Sequence, residues 1–281
     1  MKLRLLEQRR VKLTKILTIG VLTALSAITI VSCSNNKDVL VTEIGVNTPN
    51  RRSAKNSQAG LAYIEGQKQH AQGNLQAAIA AYNKALSLNS EYGAAYRGRG
   101  LTYFDLGDKQ KAIADYNEAI RLSPNDAEAF NSRGNARASL GDQAGAISDY
   151  NEAIRLSPNY AEAYNNRGNA LSVQGDKSGS IEDFNQAIRL NPRYAIAYNN
   201  RGNARAAQGD AQGAISDYNQ AIRINPNFGA AYNNRGNARA AQGDKQAALE
   251  DLKKAAAIFQ RQNNNDLYQQ VMNNINELGQ Q

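Results

Sequence analysis

The sequence predicts an all-α solenoid: six consecutive 34-residue helix–turn–helix units closed by a final helix. Three observations carry this prediction. The dipeptide Gly–Asp recurs at 107, 141, 175, 209 and 243, always 34 residues apart. Pro124, Pro158, Pro192 and Pro226 keep the same interval. Between these markers the apolar residues follow a helical period; in 211–224, Ile215, Tyr218, Ala221 and Ile222 stand at i, i+3, i+6 and i+7. The period frames units at 59–92, 93–126, 127–160, 161–194, 195–228 and 229–262. One such hairpin cannot bury its apolar face, whereas a stack of six can.

The chain opens with six bases, Lys2, Arg4, Arg9, Arg10, Lys12 and Lys15, against the single acid Glu7. The uncharged run ILTIGVLTALSAITIVS follows at 16–32, and a basic segment before an apolar one is the order of a secretory signal. Ile30, Val31 and Ser32 before Cys33 resemble the lipobox of bacterial lipoproteins. That resemblance implies a signal peptide over 1–32 and a lipid on Cys33, the only cysteine of the chain. Two other readings fit the same run. It could remain uncleaved as an anchor, although it is shorter than the roughly 20 residues needed to span a bilayer, or it could be a secretory signal cut elsewhere. Each places the remainder outside the cytoplasm. Without a second cysteine the exported part forms no internal disulfide and must be held by packing. Residues 33–56 are polar, contain Pro49 and Arg51–Arg52 and show no helical period, so they are expected to be a flexible tether. Its short run VLVTEIGV could be a strand, but it has no partner strand.

Within each unit of the 57–262 array the chemistry of the turns is explicit. In the fifth unit a first helix is expected over about 196–208. Gly209 ends it, Asp210 caps the next helix, and Pro226 stops that second helix beyond 224. Gly202 and Ala214 are small where two helices must approach closely. The set Tyr198, Arg201, Gly202, Arg205, Ala214, Tyr218 and Pro226 resembles the tetratricopeptide repeat, and the resemblance extends over all six units. It implies a right-handed superhelical stack. The end units depart from the pattern, as capped solenoids require: Ala62 and Ser90 replace the aromatic and the proline in the first, and Leu252 and Gln260 replace Tyr and Pro in the sixth. Beyond them, in 263–281, Leu267, Val271, Ile275 and Leu278 form one face of a capping helix expected over 265–278.

Composition narrows the function. No Trp, one His and one Cys leave little conventional catalytic or metal-binding chemistry, and no cofactor is expected. His70, the only histidine, is expected to be an exposed helix residue. The formal charge of +8 first suggests nucleic acid. Beyond residue 32, however, 27 bases face 24 acids that alternate with them, so no nucleic-acid surface is expected.

Two columns of polar residues recur at the 34-residue interval. The seventh position of the first helix, ordinarily Leu in the tetratricopeptide family, is here Arg99, Arg133, Arg167, Arg201 and Arg235. It lies on the face carrying the aromatic, where an unpaired charge is costly. The second helices offer Asp115, Asp149, Asp183, Asp217 and Asp251 in register, and the first unit lacks both partners, having Glu65 and Ala81. A structural ladder of Arg–Asp pairs is therefore expected, 99–115 through 235–251, with a clamp for an acidic partner as the alternative. Arg137, Arg205 and Arg239 find no matching acid column in the sequence.

The second column is amide. Asn131, Asn165, Asn199 and Asn233 occupy the fifth position and Asn135, Asn169, Asn203 and Asn237 the ninth, one helical face. Asn166, Asn200 and Asn234 form a third line beside them, and the twelfth position is small: Ala138, Ser172, Ala206 and Ala240. The tetratricopeptide resemblance implies that this face lines a concave groove for extended peptides. An amide both donates and accepts, so it suits a peptide backbone of any sequence. Arg97 is the only base at the fifth position, so no clamp for a carboxylate terminus is assigned. The expectation is an exported, lipid-anchored, non-catalytic scaffold that binds protein or peptide partners in its groove at a bacterial cell envelope. A self-assembling array, an accessory subunit of an envelope enzyme complex, and an enzyme are the rivals.

Overall fold

The computed structural model describes residues 51–280. Cys33, the apolar run before it and the predicted signal peptide lie outside the described residues. Thirteen helices and no strands are found among the described residues. They pair as α1 (Arg51–Ala71) with α2 (Leu75–Leu88), α3 (Gly93–Asp105) with α4 (Lys109–Leu122), and α5 (Ala127–Ser139) with α6 (Gln143–Leu156). The later pairs are α7 (Ala161–Gln174) with α8 (Lys177–Leu190), α9 (Ala195–Ala207) with α10 (Ala211–Ile224), and α11 (Gly229–Ala241) with α12 (Lys245–Arg261). A last helix, α13 (Asn265–Gln280), packs on α12.

The turns follow the sequence chemistry. Gly209 has φ +86°, a left-handed conformation that closes α9 at little cost without a Cβ. One residue on, Asp210 accepts a hydrogen bond from the Gly213 amide at 2.8 Å, satisfying a donor that the first turn of α10 leaves free. Asp108, Asp142, Asp176 and Asp244 do the same for α4, α6, α8 and α12.

The core is a chain of small clusters rather than one apolar centre. Each contains a buried ring from a second helix, Tyr82, Tyr116, Tyr150, Phe184 or Tyr218, set among fully buried alanines. Gly202 lets the Tyr218 ring reach the backbone of α9; a Cβ there would stand 2.6 Å from the ring. Successive first helices touch one another from α1·α3 through α9·α11, while no such series of contacts joins the second helices. Elements brought closer together lie on the inside of a curved stack, so the first helices line its inner face.

Three boundaries differ from expectation. Helix α1 begins at Arg51, so residues 51–56 are not tether. Pro49 stands just ahead of this helix, and the Arg, Ala, Lys and Gln that open it are good helix formers despite the missing apolar period. Helix α12 has 17 residues where the other second helices have 14; it runs through Gln260, where units two to five have proline, although α2 ends at Leu88 with Ser90 at that position. Helix α13 also runs two residues past the expected 278.

Candidate functional site

The arginine and aspartate columns meet. Arg201 Nε donates to Asp217 Oδ2 at 2.9 Å and Nη2 donates to Oδ1 at 2.6 Å, a two-pronged pair. Arg99–Asp115, Arg133–Asp149, Arg167–Asp183 and Arg235–Asp251 repeat that geometry. The five aspartates are 2–6% exposed, so each carboxylate depends on its partner. Each guanidinium also lies over the aromatic of its own helix, 5.4 Å from the Tyr198 ring centre for Arg201.

The pairs do more than join the helices of one unit. Arg201 Nη1 donates to Asn185 Oδ1 at 2.7 Å, on the second helix of the preceding unit. Arg99, Arg133, Arg167 and Arg235 reach Asn83, Asn117, Asn151 and Asn219 in the same way. Every arginine thus staples three helices. The signal was present in the sequence as a recurrent aromatic–Asn dipeptide in the second helices. The first unit has Asn83 but no Arg–Asp pair, because Asn83 serves the unit that follows it.

Arg137, Arg205 and Arg239, left without partners by the sequence, share the same aspartates. Their Nη1 atoms donate to Asp149, Asp217 and Asp251 Oδ2 at 2.8 Å. They come one turn after the ladder arginines, on the same helical face. The second and fourth units carry Tyr103 and Leu171 there, so Asp115 and Asp183 each have one arginine. Arg99 and Arg167, the unshared partners, have guanidinium pKa values raised above the ordinary arginine value, first by the hydrogen bonds to Asp115 and Asp183. With Nε, Nη1 and Nη2 all engaged inside the stack, the ladder arginines form framework and offer little to an acidic partner.

The asparagines divide. Asn131, Asn165 and Asn199 are 6, 2 and 6% exposed. Their oxygens accept from Asn166, Asn200 and Asn234 of the next unit at 3.0–3.1 Å. Asn233 is part-buried and donates to Asn234 at 3.4 Å. The fifth-position column is therefore not the reachable contact surface that was expected. It is withdrawn because neighbouring first helices pack closely enough for one asparagine to bond the next. The ninth position faces out: Asn169, Asn203 and Asn237 are exposed and Asn135 is half-buried. Tyr150 and Tyr218 hydroxyls donate to Asn135 and Asn203 oxygens at 2.8 Å, and the Asn203 oxygen also accepts from Asn234 at 2.9 Å, so these two side chains have their oxygens engaged within the stack. Asn135, Asn166, Asn169 and Val173 line a recess of about 220 Å³, and Asn237 with Asn274 lines another of about 360 Å³.

Toward the N-terminal half the face changes character. Arg97 donates to Asp126 at 2.9 Å and also pairs with Glu128, beside Tyr160. Burial pushes the Tyr194 hydroxyl up to about 12, with Glu162 and Tyr160 adding to the shift. His70, expected to be simply exposed, has Nε2 2.8 Å from Asp105 Oδ2 of the next unit.

These features define a helical-repeat stack with a ladder-braced interior and an amide-lined inner face. The chain belongs to the tetratricopeptide repeat family: family models described as TPR repeat match residues 66–107, 100–141 and 134–175, and models described as tetratricopeptide repeat match 165–227 and 217–250. Members of that family are generally protein-interaction scaffolds. Among solved structures, a tetratricopeptide repeat protein from Parabacteroides merdae is 26% identical, with 76% of this chain and 84% of that chain covered and a TM-score of 0.63. The MamA protein is 26% identical over 60% of this chain and 92% of that chain, with a TM-score of 0.53. YrrB, described as a TPR protein with an unusual peptide-binding site, shares the fold at 24% identity, covering 63% and 92% with a TM-score of 0.51. No curated protein matches the chain by sequence.

Proposed function

We propose that this chain is a non-catalytic scaffold that binds an extended segment of a partner protein along its inner face. The observation that carries the proposal is the exposed ninth-position line Asn169, Asn203 and Asn237, flanked by small residues at the twelfth position. An extended backbone presents donors and acceptors that such amides can meet without regard to side chains. The resemblance around Cys33 supports attachment of the array to a bacterial membrane by an N-terminal lipid, with the units outside the cytoplasm.

Photo-crosslinkers placed at Asn169 and Asn203 in intact cells test the face. Adducts with a partner are expected from both positions and none from Arg189, which is exposed on a second helix. The opposite pattern would assign binding to the outer face instead. Cys33→Ser tests the anchor separately, because the variant should lose membrane association if the lipid is the attachment.

A further inference from the structure

The two ends of the stack are finished differently. At the C-terminal end α13 lays Val271, Ile275 and Leu278 on α12 and keeps its outer face polar. At the N-terminal end no described helix stands in front of α1. The face that α1 turns that way can be read from the later units. Third-position alanines, Ala95, Ala129, Ala163, Ala197 and Ala231, are fully buried. Sixth-position asparagines bond the preceding unit, and seventh-position arginines reach its second helix. The corresponding residues of α1 are Leu61, Ile64 and Glu65.

Leu61 is 65% and Ile64 59% exposed, on one helical face a turn apart. Beside them a recess of about 400 Å³ opens between α1 and α2, lined by Leu61, Ala62, Glu65, Ala81 and Lys84. This is the space in which later units hold the Arg–Asp pair. Its residues do not suit a further repeat stacked in front. Interior joints put alanine at the third position, where helices come close, and Leu61 is too large for that joint. Glu65 also has the wrong sign to replace the stapling arginine.

We propose that this face meets the same face of a second copy, related by a two-fold axis. The patch is self-complementary: an apolar centre, with Lys84 on α2 and, across the recess, Glu65 on α1, whose exposed carboxylate also accepts from Gln69 at 2.7 Å and lies 3.7 Å from Lys68 of its own helix. Under a two-fold axis Glu65 of each copy faces Lys84 of the other, as an isologous contact requires. Helix α1 has 21 residues, about 30 Å of length. Two such helix-pair ends packed together bury on the order of 600 Å² per copy, the lower end of specific interfaces.

The test uses the full chain in detergent, carrying Cys33→Ser so that no native thiol remains. Ile64→Cys is oxidised with diamide and run without reductant. A disulfide-linked dimer is expected, while Ser178→Cys, exposed on the fourth unit, stays monomeric. Glu65→Lys or Lys84→Glu alone should lower the dimer yield about fivefold, since each converts two ion pairs per dimer into repulsions. The double swap should restore it. Circular dichroism checks that each variant keeps its helices. A monomeric I64C product, a yield indifferent to both single swaps, or a thiol at that position protected in a chain that stays monomeric would each overturn the proposal. The last would mean that another part of the chain covers the face.

Discussion

Sharing of the ladder aspartates makes an unequal prediction for otherwise equivalent arginines. Arg167→Ala removes the only cation from Asp183, whose side chain is 4% exposed. Breaking a buried pair in that way costs about 3–5 kcal/mol, because the carboxylate is left without compensation. Arg201→Ala removes the same two-pronged contact from Asp217, but Arg205 still donates to Oδ2 at 2.8 Å. The loss is then that of the charge-assisted hydrogen bonds alone, about 2 kcal/mol. Repeat arrays open unit by unit, so amide hydrogen exchange within the affected unit is the suitable assay. Exchange in α7 and α8 should accelerate by about two to four orders of magnitude in R167A, and in α9 and α10 of R201A by about thirtyfold. Arg99→Ala and Arg133→Ala provide a second comparison of unshared against shared. If R201A and R133A cost as much as R167A and R99A, the second arginines do not protect the aspartates and the account of them fails.

Two further outcomes follow from the same interior. Asn165→Leu should destabilise the joint between the fourth and fifth units by about 1–3 kcal/mol, since it leaves the Asn200 amide without its acceptor. Asn169→Ala should stay within about 0.5 kcal/mol of the parent in urea unfolding while weakening partner binding. Tyr82, Tyr194 and Tyr218 have hydroxyl pKa values pushed up to about 12, chiefly by burial. The ordinary tyrosine value is about 10, and a group whose folded value is raised contributes stability that is complete below the unfolded value. Stability should therefore fall as pH rises from about 10 to about 12. Tyrosinate absorbance should rise together with loss of helical circular dichroism; tyrosine ionisation well before the helices melt would contradict the burial of these rings.

The array was legible because its chemistry repeats. Gly209, Asp210 and Pro226 are local signals whose meaning needs no tertiary knowledge, and the paired absence of Arg and Asp in the first unit placed two helices side by side. Convergence from different units was not legible. Arg205 reaches Asp217 only because α9 and α10 cross at a particular angle, and Asn185 joins Arg201 only across a unit boundary. Periodicity puts Asn199 and Asn203 on one face, but cannot say that Asn199 is closed off by Asn234 while Asn203 remains exposed. The helical start of α1 was missed because residues 51–56 have helix-forming composition without an apolar stripe.

The amide column has a further consequence for the length of the array. Asn233 donates to Asn234, Asn234 to Asn199, Asn199 to Asn200, and so on through Asn165 and Asn166 to Asn131. All seven amides run in one direction. A 34-residue copy inserted anywhere along them brings one donor and one acceptor and finds both already answered by its neighbours. Asn233 shows where this stops: its oxygen is buried without a partner among the described residues, and Tyr268 stands where the next asparagine would be. The amide joints would therefore accept duplication or deletion of a whole unit without mismatch.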